Sequence, residues 1–257
     1  MAKVLLVDIE TAPKVALVWR FFKENISPKQ VLAHGHIMSF AAKWLNEDEI
    51  YYQENRKEDD RVIVRSLVNL LDEADIVVAH NGDNFDFPQI CARALVHGMK
   101  PPSPYKVVDT YKSAKRHFAF PSNSLEYLAN VLECHPKKAH KKFPGFELWL
   151  ECLRNNDEAW EEMKEYNIQD VITLEEVYLK MRPWMNNHPN LAVYEEVNDT
   201  CRCPKCNSEN LQWRGYAYTQ VGKFHRFQCQ DCGGWGRTRY SEKTKDENKL
   251  LVVNQVG

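Results

Sequence analysis

Near its start the chain runs four apolar residues straight into a pair of carboxylates: Val4-Leu5-Leu6-Val7 is followed by Asp8-Ile9-Glu10-Thr11. A short, continuous apolar run rich in branched residues predicts a strand buried on both faces of a sheet. Side chains two apart on a strand point to the same side, so Asp8 and Glu10 stand together while Ile9 enters the core. Two unit charges about 4 Å apart repel by roughly 4 kcal/mol at an effective dielectric near 20, and burial adds a desolvation cost. A bound cation relieves both. The alternative is a strand that ends at Val7, with both acids solvated in a loop.

The 257 residues allow one large domain, or a medium domain and a small one. No run approaches the roughly 18 apolar residues that a membrane span needs. The first residues lack a charged region leading into an apolar signal core, so the expectation is a cytoplasmic protein away from membranes. The net charge of -2 divides unevenly. Residues 201–240 carry seven Lys and Arg against two acids, a segment of +5, and the remainder is net acidic. Five of the eight cysteines also fall between Cys201 and Cys232, which favours a metal site over disulfides. Cys91, Cys134 and Cys152 lie among apolar residues and are expected as small buried side chains.

In chain order, residues 13–36 are aromatic and irregular (Trp19, Phe21, Phe22), and read as a short helix and loop over the sheet, with core or lid packing of the rings favoured over stacking on bases. Strands are expected at 36–44 and 48–53, a helix at 60–74, a strand at 75–81 and a helix at 89–97. Residues 105–110 read as a short strand carrying Asp109, for which turn capping is the favoured role. Helices follow at 124–132, 146–153 and 158–181. Lys137, Lys138, Lys141 and Lys142, with His140, form a basic loop that could contact phosphate. The result is α/β organisation around a mixed sheet, with polar residues gathered at strand ends. The expected division is a domain at 1–188, a linker at 189–200, a cysteine module at 201–240 and a tail at 241–257.

Three motifs fall in order along this frame: Asp8-x-Glu10 at the end of the first strand, Asn81-x-x-x-Phe85-Asp86 after a later one, and Tyr166-x-x-x-Asp170 on a late helix. Tyr166 and Asp170, four apart, share a helix face. Over residues 1–185 this order resembles the DEDD superfamily of 3′-5′ exonucleases, whose fold is RNase H-like and which includes the proofreading domains of DNA polymerases. The tyrosine-containing branch is the closer match. In the histidine branch the matching residue sits five positions before the last Asp, and here that residue is Glu165.

The resemblance implies two Mg²⁺ or Mn²⁺ ions held by Asp8, Glu10, Asp86 and Asp170, hard cations suited to carboxylate oxygen. Asp8 would bridge both ions. Glu10 and Asp170 would bind the ion holding the nucleophile, and Asp86 would support the other, largely through water. Tyr166, with an ordinary pKa near 10, is expected to orient the attacking water rather than take its proton. Asn81, Phe85 and Thr11 are expected around the substrate strand, and Asp83 is expected to be exposed.

Cys203-x-x-Cys206 and Cys229-x-x-Cys232 have zinc-ribbon spacing, and four thiolates suit one closed, structural Zn²⁺. Cys201 is a spare with a poorer offset. A module of about 40 residues builds little core alone, so zinc would largely determine its folding. Its interleaved aromatics and basic residues, including Arg214 and Arg226, resemble nucleic-acid-binding ribbons. The competing role for those aromatics is the ribbon's own small core.

The expected function is a two-metal 3′-5′ exonuclease acting on single-stranded DNA or frayed ends, with RNA possible, releasing nucleoside monophosphates. With no polymerase domain in the chain, proofreading would require a replication or repair partner protein. One rival is a structure-selective RNase H-like endonuclease, which would cut circular single strands where an exonuclease leaves them intact. Another is a catalytically silent nucleic-acid-binding adaptor, whose binding would survive EDTA.

Overall fold

The computed structural model describes residues 2–134, 142–196 and 199–253. The chain divides into two compact units, Lys3–Lys180 and the residues from Met181 onward. In the first, β1 (Val4–Thr11) leads through β2 (Val15–Ala16) and β3 (Val31–Ala33) into β4 (Ile37–Trp44) and β5 (Ile50–Glu54). Next come α1 (Arg61–Glu73), β6 (Ile76–Ala79), α2 (Asp86–Val96) and β7 (Lys106–Asp109). Four helices complete the unit: α3 (Thr110–His117), α4 (Leu125–Val131), α5 (Glu147–Leu153) and α6 (Asp157–Met181).

Five strands form one mixed sheet in the order β5-β4-β1-β6-β7. The apolar run places β1 in the middle, antiparallel to β4 and parallel to β6. Leu5, Val7 and Ile9 face one layer, where they pack with Ile63, Leu67 and Leu71 of α1 and Phe87 and Ile90 of α2. On the opposite side Met38 of β4 packs with Leu148 and Cys152 of α5 and Trp160 and Met163 of α6. Each buried side chain of this size contributes about 1.5–3 kcal/mol, so the sheet is held from both faces. The pairing of β1 is asymmetric along its length: it meets β4 from Leu5 to Thr11 but β6 only from Val4 to Leu6. The sheet therefore forks beyond Leu6, at the end of β1 that carries the acids.

Asp60 sits fully buried at the start of α1. Its carboxylate accepts from Arg93 Nη2 at 2.7 Å and Nε at 2.8 Å, from the Ile37 amide at 2.9 Å, and is 2.5 Å from His97 Nε2. Burial alone would raise its pKa, but these bonds outweigh burial and hold it below the ordinary carboxylate value.

Several expectations need correction. Residues 13–36 form no α-helix. They make the β2–β3 ribbon and a single 3₁₀ turn, Pro28–Gln30, capped by Ser27 and started by Pro28. Trp19, Phe21 and Phe22 are 95%, 93% and 83% exposed, so they pack into neither core nor lid. Cys91 lies on the exposed side of α2, because an apolar neighbourhood in sequence does not choose a helix face. Helix α2 starts at Asp86 rather than Gln89, since Pro88 falls in the first turn, where its missing N–H costs nothing.

The second unit holds a 3₁₀ turn at Leu191–Tyr194, inside the stretch read as a linker, whose Leu191 amide donates to Pro204 O at 2.8 Å. Strands β8 (Leu211–Tyr218), β9 (Lys223–Cys229) and β10 (Trp235–Arg237) form an antiparallel sheet in the order β10-β9-β8. The β8–β9 turn closes with the Thr219 amide donating to Gly222 O at 2.9 Å. A short helix, α7 (Lys245–Lys249), precedes exposed Leu250 and Val252.

Candidate active site

The strand period puts Asp8 and Glu10 on the face of β1 opposite Ile9, which is buried. Asp170 arrives from α6. Carboxylate oxygens of Asp8, Glu10 and Asp170 all lie within 4.8 Å of one another. This is the crowding that raises mutual repulsion unless a cation sits among them, and an all-oxygen donor set suits Mg²⁺ or Mn²⁺. The residues therefore fit a divalent-cation site.

Two further side chains hold the acids in place. Asn167, fully buried on α6, donates to Asp8 Oδ2 at 2.6 Å, while its own Oδ1 accepts from Ser39 Oγ at 3.1 Å. The Ser39 hydroxyl thus orients the amide, and the amide orients Asp8. Trp149 of α5 donates from Nε1 to Glu10 Oε2 at 3.2 Å and stands edge-on to the Tyr166 ring, with centroids 6.1 Å apart. The sequence reading missed both residues. Asn167 carried a signal, lying three before Asp170 and so on the same helix face; Trp149 had none, because its role depends on how α5 packs.

Tyr166 is half-buried beside these carboxylates. Burial first, then the charges of Asp170, Glu10 and Asp8, push its phenol far above the ordinary tyrosine value. It is therefore a neutral hydrogen-bonding group across the physiological range.

Asp86 stands apart from the three clustered acids. It is 3% exposed in the first turn of α2 and accepts from the Ile9 amide at 3.2 Å. That amide lies beyond Leu6, where β1 has no further β6 partner, so Asp86 occupies the fork in the sheet. Burial pushes its carboxyl up to about 7, against bonds from the Ile9 amide and its own, with Asp109 adding repulsion. A nearby cation would restore its full charge.

The remaining candidates are more dispersed. Thr11 ends β1 at a register shift after Glu10. Asn81 has φ +65° in the tight turn after β6, and its Oδ1 accepts from Asn84 Nδ2 at 2.9 Å. Phe85 is 40% exposed. Asp109 caps α3 through the Lys112 amide at 3.1 Å and also accepts from the Asn81 amide at 3.0 Å. Asp83 is exposed and ion-paired with Lys112 at 2.8 Å. The Lys142 ammonium is paired with Glu158; Lys137, Lys138, His140 and Lys141 lie outside the described residues.

In the second unit, Cys203, Cys206, Cys229 and Cys232 gather their sulfurs within 4.8 Å. Cys203 and Cys232 are 3.7 Å apart, and Cys206 and Cys229 3.5 Å. A tetrahedron of about 2.3 Å Zn–S bonds has edges near 3.8 Å, whereas a disulfide would require about 2.05 Å. The cluster fits the metal site of a zinc ribbon, and the spare, Cys201, is exposed and outside the cluster. Across the three strands, the guanidinium groups of Arg226 on β9 and Arg214 on β8 lie 4.8 and 5.9 Å from the Trp235 ring on β10. That of Arg237 lies 3.8 Å from Phe224. Arg214 also donates to Gln228 Oε1 at 2.7 Å.

The mixed sheet, its flanking helices and the acid cluster at the end of its central strand define an RNase H-like domain. A family model of the RNase H superfamily matches residues 7–182, and the chain belongs to that superfamily. It is similar, at 37% identity over 65 residues, to a DNA polymerase of Methanocaldococcus jannaschii; the match spans 25% of this chain and 4% of that protein. Its fold is similar to the solved family B DNA polymerase from the hyperthermophilic archaeon Pyrobaculum calidifontis, with a TM-score of 0.53 and 16% identity. That likeness covers 72% of this chain and 26% of the polymerase, so the chain spans a small part of each relative. Within this superfamily, the acid cluster suits divalent-metal chemistry on nucleic acid.

Proposed function

We propose that the chain is a 3′-5′ exonuclease of the tyrosine-containing DEDD branch, acting on single-stranded DNA or frayed ends and releasing nucleoside monophosphates. The observation that carries this reading is the convergence of Asp8, Glu10 and Asp170 within 4.8 Å, beside a neutral Tyr166. Asp8, Glu10 and Asp170 would hold divalent cations, with Asp86 supporting from the fork in the sheet. When bound, two such cations activate the attacking water and stabilise the leaving oxygen in an in-line displacement. Asn167 and Trp149 keep Asp8 and Glu10 in position, so little reorganisation is needed at the moment of reaction. Tyr166 keeps its proton and orients the attacking water by hydrogen bonding; the water's proton passes to solvent.

The similarity to DNA polymerases supports a DNA substrate, and the basic, aromatic three-stranded sheet of the cysteine module supports strand binding there. One structural Zn²⁺ would be held by Cys203, Cys206, Cys229 and Cys232. A proofreading role would be exercised with a replication or repair partner. The test is a time course on 5′-labelled single-stranded DNA and RNA with Mg²⁺, Mn²⁺ or EDTA, resolved to single nucleotides. A metal-dependent ladder shortening from the 3′ end is expected, faster on DNA; label that stays full-length in every lane would overturn the proposal.

A further inference from the structure

The exposed rings of residues 13–36 have no place in the machinery described so far. Leu17, Trp19, Phe21, Phe22 and Leu32 are each more than 60% exposed, an apolar display that water disfavours unless something covers it. The segment also carries Lys14, Arg20, Lys23 and Lys29, all exposed, against one acid, Glu24, for a net +3 in a chain of net -2. Cations interleaved with flat rings match a phosphate backbone with bases beside it.

The display has an internal scaffold. Glu24 Oε2 accepts from the Trp19 amide at 3.0 Å and the Arg20 amide at 2.9 Å. Gln30 Nε2 donates to Glu24 Oε1 and to Leu17 O, both at 2.9 Å, and the Leu17 amide donates to Gln30 O at 2.9 Å. With the loop backbone drawn onto Glu24 and Gln30, the rings are left pointing outward.

Its root adjoins the acid cluster. The segment leaves β1 at Thr11, immediately after Glu10, and rejoins β4 at Ile37, the register partner of Thr11. Between them the Ala12 amide donates to His36 O at 2.8 Å. A cleft at the root is lined by Pro13, Val15, His36, Arg56 and Lys57 among others.

We infer that residues 13–36 form an arm that grips single-stranded nucleic acid entering the acid cluster, with Trp19, Phe21 and Phe22 stacked on bases and Arg20 and Lys23 on phosphates. The inference rests on the nuclease reading above, which places the strand's end at Asp8, Glu10 and Asp170. Its test measures binding of fluorescein-labelled oligothymidylate by anisotropy, in an Asp8→Asn parent so that the probe is not cut, and separately measures cleavage of a thymidine dinucleotide, the shortest strand with one bond to cut. Replacing Trp19, Phe21 and Phe22 together with Ala is expected to weaken oligonucleotide binding by about a hundredfold and to leave dinucleotide cleavage, measured without the Asp8 change, at the rate of the unaltered protein. Glu24→Ala, which releases the scaffold but keeps the rings, is expected to cost less, about tenfold. Because the three rings are exposed, thermal unfolding should not change. Parent-like binding by the triple variant would overturn the inference and mark the rings as a surface for a protein or lipid partner. If the unaltered protein neither binds the oligonucleotide nor cleaves the dinucleotide, the nuclease reading itself falls, and the arm with it.

Discussion

The two units solve the problem of stability in opposite ways. In the first, β1, β4 and β6 are buried along most of their length between layers of helices. In the second, from Cys201 onward, the buried apolar side chains among the described residues are Phe227 and two of the clustered cysteines, Cys203 and Cys229. The first carries a core large enough to fold on apolar burial, and it gathers negative charge at one strand end. The second has too little core for its length, and the same class of ligand, a divalent metal, would supply its folding energy. One protein would thus use metal for reaction in one unit and for architecture in the other.

Stripping metal from the four-cysteine site should separate these uses most sharply. Metal ligation by a four-cysteine site is worth about 10 kcal/mol or more, so a strong chelator should abolish amide protection in β8 and β9 while β1 and β6 stay protected in hydrogen exchange. Protection surviving in β8 would break the comparison. Next in size is the combined change Asp8→Asn and Asp170→Asn. Cleavage should fall by about three orders of magnitude or more, yet the melting temperature in metal-free buffer should hold or rise, because crowded carboxylates have been relieved. A marked fall in melting temperature would mean these acids serve the fold instead.

Asp60 measures how far the first unit depends on a buried charge of its own. Asp60→Asn leaves Arg93 short of its partner and should cost about 3 kcal/mol at neutral pH. Asp60 titrates below its ordinary range in the fold, so its contribution is present above the unfolded carboxylate value and fades as pH falls through the folded one. Urea unfolding of both proteins at pH 7 and below pH 4 should show the penalty shrinking on acidification; an unchanged gap would point to lost packing. The smallest effect is expected at Gly35, where φ is +80° and an added Cβ would lie 2.7 Å from Ala12 O. Gly35→Ala should cost about 1–2 kcal/mol and slow cleavage modestly by shifting the end of β1; melting curves and initial rates would show both.

What could be read in advance depended on whether the information was local. The apolar run of β1 set its central place in the sheet, and the four-residue spacing of Tyr166 and Asp170 set their shared face. Cysteine spacing was equally plain. Trp149 reaches Glu10 only because α5 packs beside β1, a long-range fact that no neighbouring residue records. Trp19, Phe21 and Phe22 failed in the other direction: hydrophobicity states a preference for burial, and the chain overrides it where Glu24 and Gln30 hold the loop open. Asp86 was recognised by its motif, but Pro88 hid the helix start that points it at Ile9.

Helix α6 has one more consequence. It is 25 residues long, about 37 Å at 1.5 Å per residue, and carries Tyr166, Asn167 and Asp170 near its middle. Both its ends are anchored by buried side chains, Ala159 and Trp160 at the start and Tyr178 and Met181 at the finish, so its amides open with the whole cooperative unit. A lesion anywhere along α6 therefore costs stability, whereas one in the middle also disturbs the three side chains at the acid cluster. Purifying selection should bear most heavily on those central turns, and the arm before β4, held by its own local bonds, would be where new strand preferences evolve cheaply.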